Sequence, residues 1–208
     1  MYNPTKNLEY FNRWVNLDIT HRCLLQCPRC MRQFSKGLHK RGNDVSLNDF
    51  EKIIKCFKNI LFCGQMGDPI YHPNFLDILK IAVKNNNNIH IATNGHGKKD
   101  DWWDHAFFLT KDRNTRWIFG LDGLPKDSHK YRVNQDGNLV WEQMKNGAKN
   151  GNEIMWQYIV FSYNENDIEE ARSMAEDNNI IFRLIESSRW RGEDDPLRPS
   201  KHFINRWF

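Results

Sequence analysis

Six short runs of aliphatic, β-branched and aromatic residues punctuate the sequence, at Trp14–Thr20, Asn59–Cys63, Ile89–Thr93, Trp117–Leu121, Ile154–Val160 and Ile180–Ile185. Each reads as a strand. Between them the apolar residues fall at helical spacing: Leu47, Phe50, Ile53, Ile54 and Phe57 after the first run, Phe75, Ile78, Leu79 and Ala82 after the second, Ile168, Ala171, Met174 and Ala175 after the fifth. Ser46 and Asp49 make a capping pair ahead of the first of these helices. Strands alternating with helices build right-handed β-α-β units. The expected fold class is therefore α/β, as an open doubly wound sheet or a partial (β/α)6 barrel of the TIM type with mostly parallel strands. In both, ligands bind at the carboxyl ends of the strands.

A length of 208 residues suits one domain. Residues 1–185 are expected to form the core domain and 186–208 a C-terminal tail. The tail contains Pro196 and Pro199 but also Trp190, Phe203, Ile204, Trp207 and Phe208, apolar surface that should pack onto the core. Thirty Lys and Arg against 26 Asp and Glu leave a net charge of +4, and the basic residues are scattered, so a nucleic-acid partner is not expected. Aromatic residues make up 13 % of the chain, too many for a disordered one. No apolar run approaches the roughly 18 residues that span a bilayer. The first residues, Met1 to Lys6, lack the apolar core of a signal peptide. The expectation is a cytoplasmic protein without a membrane partner.

Five cysteines are an odd number, and three of them lie within eight residues: Cys23-Leu24-Leu25-Gln26-Cys27-Pro28-Arg29-Cys30. This C-x3-C-x2-C run follows the first strand directly. Such crowding suits a metal site in a reducing compartment better than a disulfide framework. Three soft thiolates select a soft metal. Structural zinc closes its shell with four protein ligands, and His21, His39 or a distant Cys would have to supply the fourth. A [4Fe–4S] cluster held by Cys23, Cys27 and Cys30 instead leaves one iron open. The spacing alone leaves zinc, a cluster and coincidence all open. Cys56, in the apolar phase of a helix, and Cys63, at a strand end, read as buried core thiols.

Each later strand end carries a further motif. Gly64-Gln65-Met66-Gly67-Asp68-Pro69 follows the second strand, with His72-Pro73 beyond it. Thr93-Asn94-Gly95 follows the third. Gly120-Leu121-Asp122-Gly123 follows the fourth, and Tyr131-Arg132 comes after. Taken in this order with the cysteine run, they make residues 14 to about 185 resemble the radical S-adenosylmethionine (radical SAM) enzymes. The second-strand segment is similar to that family's Gly-Gly-Glu-Pro element, with Asp68 where Glu is usual. Gly120 stands where the family usually has Ser, and Arg29 occupies a position before the third Cys that is commonly aromatic.

The resemblance implies a cofactor set of one [4Fe–4S] cluster and S-adenosyl-L-methionine. Reductive cleavage of that cofactor gives a 5′-deoxyadenosyl radical that abstracts hydrogen from a peptide, protein or small-metabolite substrate. It implies that Asp68 takes the methionine ammonium, Arg132 its carboxylate, and Asn94 or Asp122 the sugar or its surroundings. The backbone near Gly64 and Gly67 approaches the ligand closely, and Arg29 meets the adenine through its backbone or by guanidinium stacking. Reduction implies an electron donor such as flavodoxin or ferredoxin. No Cys follows Cys63, so one cluster is expected. Gln157, Tyr158, Arg183, Glu186, Arg189, Trp190 and Arg191 are candidates for the substrate wall. Two further readings stand beside this one: a radical SAM enzyme acting on a nucleotide-derived substrate, as the 7-carboxy-7-deazaguanine synthases do, and a non-catalytic zinc or iron–sulfur scaffold.

Overall fold

The structure, a computed structural model, describes residues 12–34, 42–203 and 206–207. His39, Ile204 and Phe208, named above, lie outside them. Six parallel strands form one sheet: β1 (Trp14–Leu17), β2 (Asn59–Phe62), β3 (Asn88–Thr93), β4 (Thr115–Gly120), β5 (Glu153–Val160) and β6 (Ile181–Glu186). A two-residue strand, β7 (Arg206–Trp207), adds antiparallel to β6 at Arg183 and Leu184. Spatial order follows chain order from β1 to β7. A doubly wound sheet reverses its order part-way, so this sequential order selects the partial barrel of the two architectures.

The helices are α1 (Met31–Phe34), α2 (Leu47–Ile54), α3 (Phe75–Lys84), α4 (Asp100–Thr110), α5 (Gly137–Lys149) and α6 (Ile168–Glu176). The Ser46 side chain accepts the Asp49 N–H at 3.1 Å and caps α2. That helix stops at Ile54, short of the periodicity running on to Phe57. The Cys56 N–H turns back to the Ile53 carbonyl at 2.9 Å, and the chain bends toward β2. Cys56 is in consequence exposed rather than buried, which corrects its reading as a core thiol; Cys63 is buried. At the end of α3, Asn86 takes the left-handed conformation (φ 57°), and the Asn87 side chain bonds the Phe57 and Lys58 carbonyls before β3 begins.

Between the sheet and the helices lies an aromatic layer. Trp103, on α4, sits 5.6 Å from Trp117 and 5.4 Å from Phe119 of β4, ring centre to ring centre. Phe107 and Phe75 pack edge-on to Trp117. Alternation along β4 sends Trp117 and Phe119 to this core and leaves Ile118 and Gly120 facing the barrel interior. Among the described residues no helix is long and apolar enough to cross a membrane.

The segment after β6 lies against the core. Ser162 gives its N–H to the Leu197 carbonyl and its hydroxyl to that of Pro196. The Phe203 N–H reaches the Glu186 carboxylate at 2.7 Å, and Trp190 meets Phe161 edge-on at 5.8 Å.

Candidate active site

The carboxyl ends of the strands surround a cavity of about 440 Å³. Just past β1 the Asp18 carboxylate accepts the N–H groups of Gln65 and Met66 at 3.1 and 3.0 Å, fastening the loop after β2 onto the end of β1. Gly67 is required by the same junction: a Cβ there would stand 2.9 Å from the Thr20 carbonyl carbon and 3.0 Å from the Arg22 nitrogen. Its missing side chain thus serves loop-to-loop contact, a reason the sequence did not suggest, while its backbone lines the cavity.

Asp68 follows, buried, at the start of a 3-10 turn over Pro69–Tyr71. Its carboxylate accepts the Asn94 N–H at 2.6 Å, the Thr93 hydroxyl at 2.9 Å and the Ile70 N–H at 3.2 Å. Burial pushes its pKa up to about 6 in spite of these three donors. An ammonium group arriving in the cavity would meet a poorly hydrated carboxylate already aimed by hydrogen bonds.

Cys23, Cys27 and Cys30 line the same cavity. Their loop is held by bonds from the Cys30 N–H to the Cys27 carbonyl, from the Gln26 N–H to the Val133 carbonyl, and from the Arg32 guanidinium to the Cys23 carbonyl. Burial raises the Cys23 and Cys27 thiols, the latter to about 11. Among the described residues no three His, Cys, Asp or Glu side chains close on a point as the ligands of a single ion do. A four-iron cluster spreads its thiolates over separate corners. Three thiols bordering one open cavity fit such a cluster and its open iron.

Arg132 and Asp122 form a buried ion pair, Nε to Oδ2 at 2.8 Å. Asp122 is fully enclosed, also accepts the Ile159 N–H at 3.0 Å, and does not line the cavity. It is placed to hold Arg132 rather than to touch a sugar. Burial raises the Asp122 carboxyl although Arg132 opposes this; on Arg132, Asp122 outweighs burial and keeps the guanidinium charged. The Arg132 side chain does line the cavity. Gln135, which the sequence did not single out, gives its amide to the Asn94 and Gly120 carbonyls at 2.6 and 3.0 Å and ties the ends of β3 and β4 together.

The Arg29 side chain points elsewhere. Its guanidinium pairs with Asp195 through contacts of 3.1, 2.9 and 2.8 Å, with both side chains buried. Buried there, Arg29 is not among the residues that line the cavity. Among the substrate-wall candidates, Gln157, Glu186 and Arg189 line the cavity. Tyr158 is a core residue whose hydroxyl bonds the Asn164 carbonyl; Trp190 packs on Phe161; Arg183 lies lower on β6, away from the cavity.

A family model described as the radical SAM superfamily matches residues 17–176. The chain belongs to the radical SAM superfamily. That superfamily is one of enzymes whose cofactors are a [4Fe–4S] cluster and S-adenosylmethionine. A curated relative from Pyrococcus furiosus, the tungsten-containing aldehyde ferredoxin oxidoreductase cofactor-modifying protein, is 28% identical over 118 residues, which are 54% of this radical SAM chain and 32% of the relative. Among solved structures, Streptococcus suis SuiB bound to S-adenosylmethionine superposes with a TM-score of 0.73 at 15% identity, covering 92% of this chain and 44% of SuiB. Methylornithine synthase (PylB) gives a TM-score of 0.62 at 16% identity over 92% of this chain and 59% of its own. This radical SAM chain spans about a third of the curated relative's length and under half of SuiB's.

Proposed function

We propose that Cys23, Cys27 and Cys30 hold the cluster and that Asp68 and Arg132 hold the ammonium and carboxylate of S-adenosylmethionine. When bound, the pair supplies a 5′-deoxyadenosyl radical, made by reductive cleavage with an electron from a donor such as flavodoxin or ferredoxin, which takes a hydrogen atom from the substrate. Gly67 carries Asp68 into the cavity wall, Thr93 and the Asn94 backbone aim its carboxylate, and Asp122 holds Arg132 across the end of β4. The chain's own work is to bind, to orient and to keep water from the reacting centre.

The observation that carries this reading is that three thiols, a desolvated carboxylate and a buried guanidinium border one cavity at the strand ends. Its remaining wall, with Gln157, Ser187, Ser188 and Arg189, faces a substrate that we take to be a peptide, protein side chain or small metabolite. Two neighbours of like fold support a peptide: SuiB is known bound to its precursor peptide SuiA, and anSMEcpe with S-adenosylmethionine and the Kp18Cys peptide. The C-terminal segment 186–208 is proposed as part of the substrate wall.

Anaerobic reconstitution with iron and sulfide, followed by dithionite and S-adenosylmethionine, tests the reading. A four-iron EPR signal that changes on adding the cofactor, with release of 5′-deoxyadenosine, is expected. A cluster-loaded protein that yields no 5′-deoxyadenosine overturns it.

A further inference from the structure

Asn94 is almost fully buried, and every polar atom it carries is engaged in a fixed sense. The His96 backbone N–H donates to Asn94 Oδ1 at 2.9 Å. A backbone N–H can only donate, so this bond decides which end of the amide is oxygen. The Tyr71 hydroxyl lies 3.2 Å from the same oxygen and is itself anchored on the His96 carbonyl at 2.6 Å. The amide nitrogen, Nδ2, is therefore the end turned toward Cys23, 3.5 Å from its sulfur. The backbone N–H of Asn94 serves the Asp68 carboxylate at 2.6 Å, a separate duty that a change of side chain leaves in place.

We propose that Asn94 is a positioning residue that donates an N–H···S hydrogen bond to Cys23 and so raises the reduction potential of the cluster. The proposal rests on the assignment of Cys23 as a ligand made above. Reduction adds negative charge to the cluster and its thiolates, and a donor aimed at a ligand sulfur stabilises that charge more in the reduced state than in the oxidised one. The contact is part-buried, so less water competes with the donor than at a surface. The contact with Cys23 uses one of the two Nδ2 hydrogens.

Two variants separate the donor from the shape of the side chain. Asn94→Asp is isosteric and keeps an oxygen for the His96 N–H and Tyr71, but presents no donor to Cys23. Asn94→Ala removes both functions. With loading checked by iron content and folding by thermal melting, redox titration followed by EPR should move both midpoints to more negative values, Asn94→Asp further than Asn94→Ala. A tenfold loss in the reduction equilibrium would appear as about 59 mV for this one-electron couple. Because the new carboxylate of Asn94→Asp lowers the midpoint by its charge alone, the neutral variant decides: a midpoint in Asn94→Ala equal to or above that of the unaltered enzyme overturns the proposal. So does loss of the cluster from both variants while they remain folded, since that would make Asn94 necessary for assembly rather than for the potential. Cys23→Ala keeps the two levels apart: iron retained in full by that variant would refute the ligand assignment itself, whatever Asn94 does.

Discussion

A Cβ on Gly120 would stand 2.6 Å from the guanidinium carbon of Arg132. The bare end of β4 is what admits this cation, and Asp122, two residues further on, fixes it at 2.8 Å. The usual serine of the family would not fit with Arg132 in its present place.

Gly120→Ala or Gly120→Ser should push Arg132 out of the cavity wall, destabilise the protein by about 1–3 kcal/mol as overpacked sites do, and weaken S-adenosylmethionine binding. Calorimetric titration of the loaded enzyme checks it. Full affinity in a folded Gly120→Ser variant would detach Arg132 from the carboxylate.

The cysteines should divide sharply. Replacing Cys23, Cys27 or Cys30 by Ala should abolish cluster binding, whereas Cys56→Ala, at an exposed position, and Cys63→Ala, beside Asp18, should load iron normally. Iron content per chain after reconstitution decides it, and loss of iron in Cys63→Ala would contradict the ligand set.

Asp68 gives a pH dependence. Burial raises its pKa to about 6 from an ordinary 3.8, so the folded protein holds this proton more tightly than the unfolded chain does. Its contribution to stability is complete below the unfolded value and is lost as pH rises through about 6. A cation bound to the ionised carboxylate offsets that loss. Binding of S-adenosylmethionine should therefore weaken as pH falls through about 6. In Asp68→Ala, which retains the cluster, binding should be weak and nearly flat over the same range. Equal affinity in the two proteins at pH 7.5 would remove Asp68 from the site.

The Arg29–Asp195 pair should be costly to halve. Removing either partner leaves a buried charge, at a cost of about 3–5 kcal/mol, and the double variant should lose little more than the worse single one. Burial would raise the Asp195 carboxyl, but the Arg191 and Leu197 N–H groups and Arg29 bring it below the ordinary range. The pair's contribution is present above the ordinary carboxylate value of 3.8 and fades as pH falls through the lower folded value. Denaturant titration of the four proteins measures the coupling, and additive single losses would show that the two residues act independently.

The six parallel strands and the helices α2, α3 and α6 were legible because their signals are local, whereas α1, α4 and α5 were not read. A period of two or of 3.6 needs only neighbouring residues, and the strand ends then mark where unusual residues gather. Asp68 could be named as a site residue from its motif, but not its three donors, because Thr93 lies 25 residues away and meets it only when β2 and β3 pair. Asp122 looked like a ligand-facing carboxylate, yet the fold encloses it, and nothing in Leu-Asp-Gly says which way the chain turns after β4. The helical period overran α2 because Cys56 and Phe57 continue an apolar phase through a turn that a backbone bond closes early. Arg29 gave no hint of Asp195; pattern reading has no term for a partner that distant.

That separation, 166 residues, contrasts with a sheet in which every strand pairs with its neighbour in the chain. Sequential pairings close short loops and form early, while a contact this non-local adds closure entropy that must be met late. As the chain is made, the cysteine loop therefore emerges well before its buried counter-charge at Asp195. The cysteine loop is thus made long before the residue that completes its burial, and it stays unclasped until Asp195 has been added.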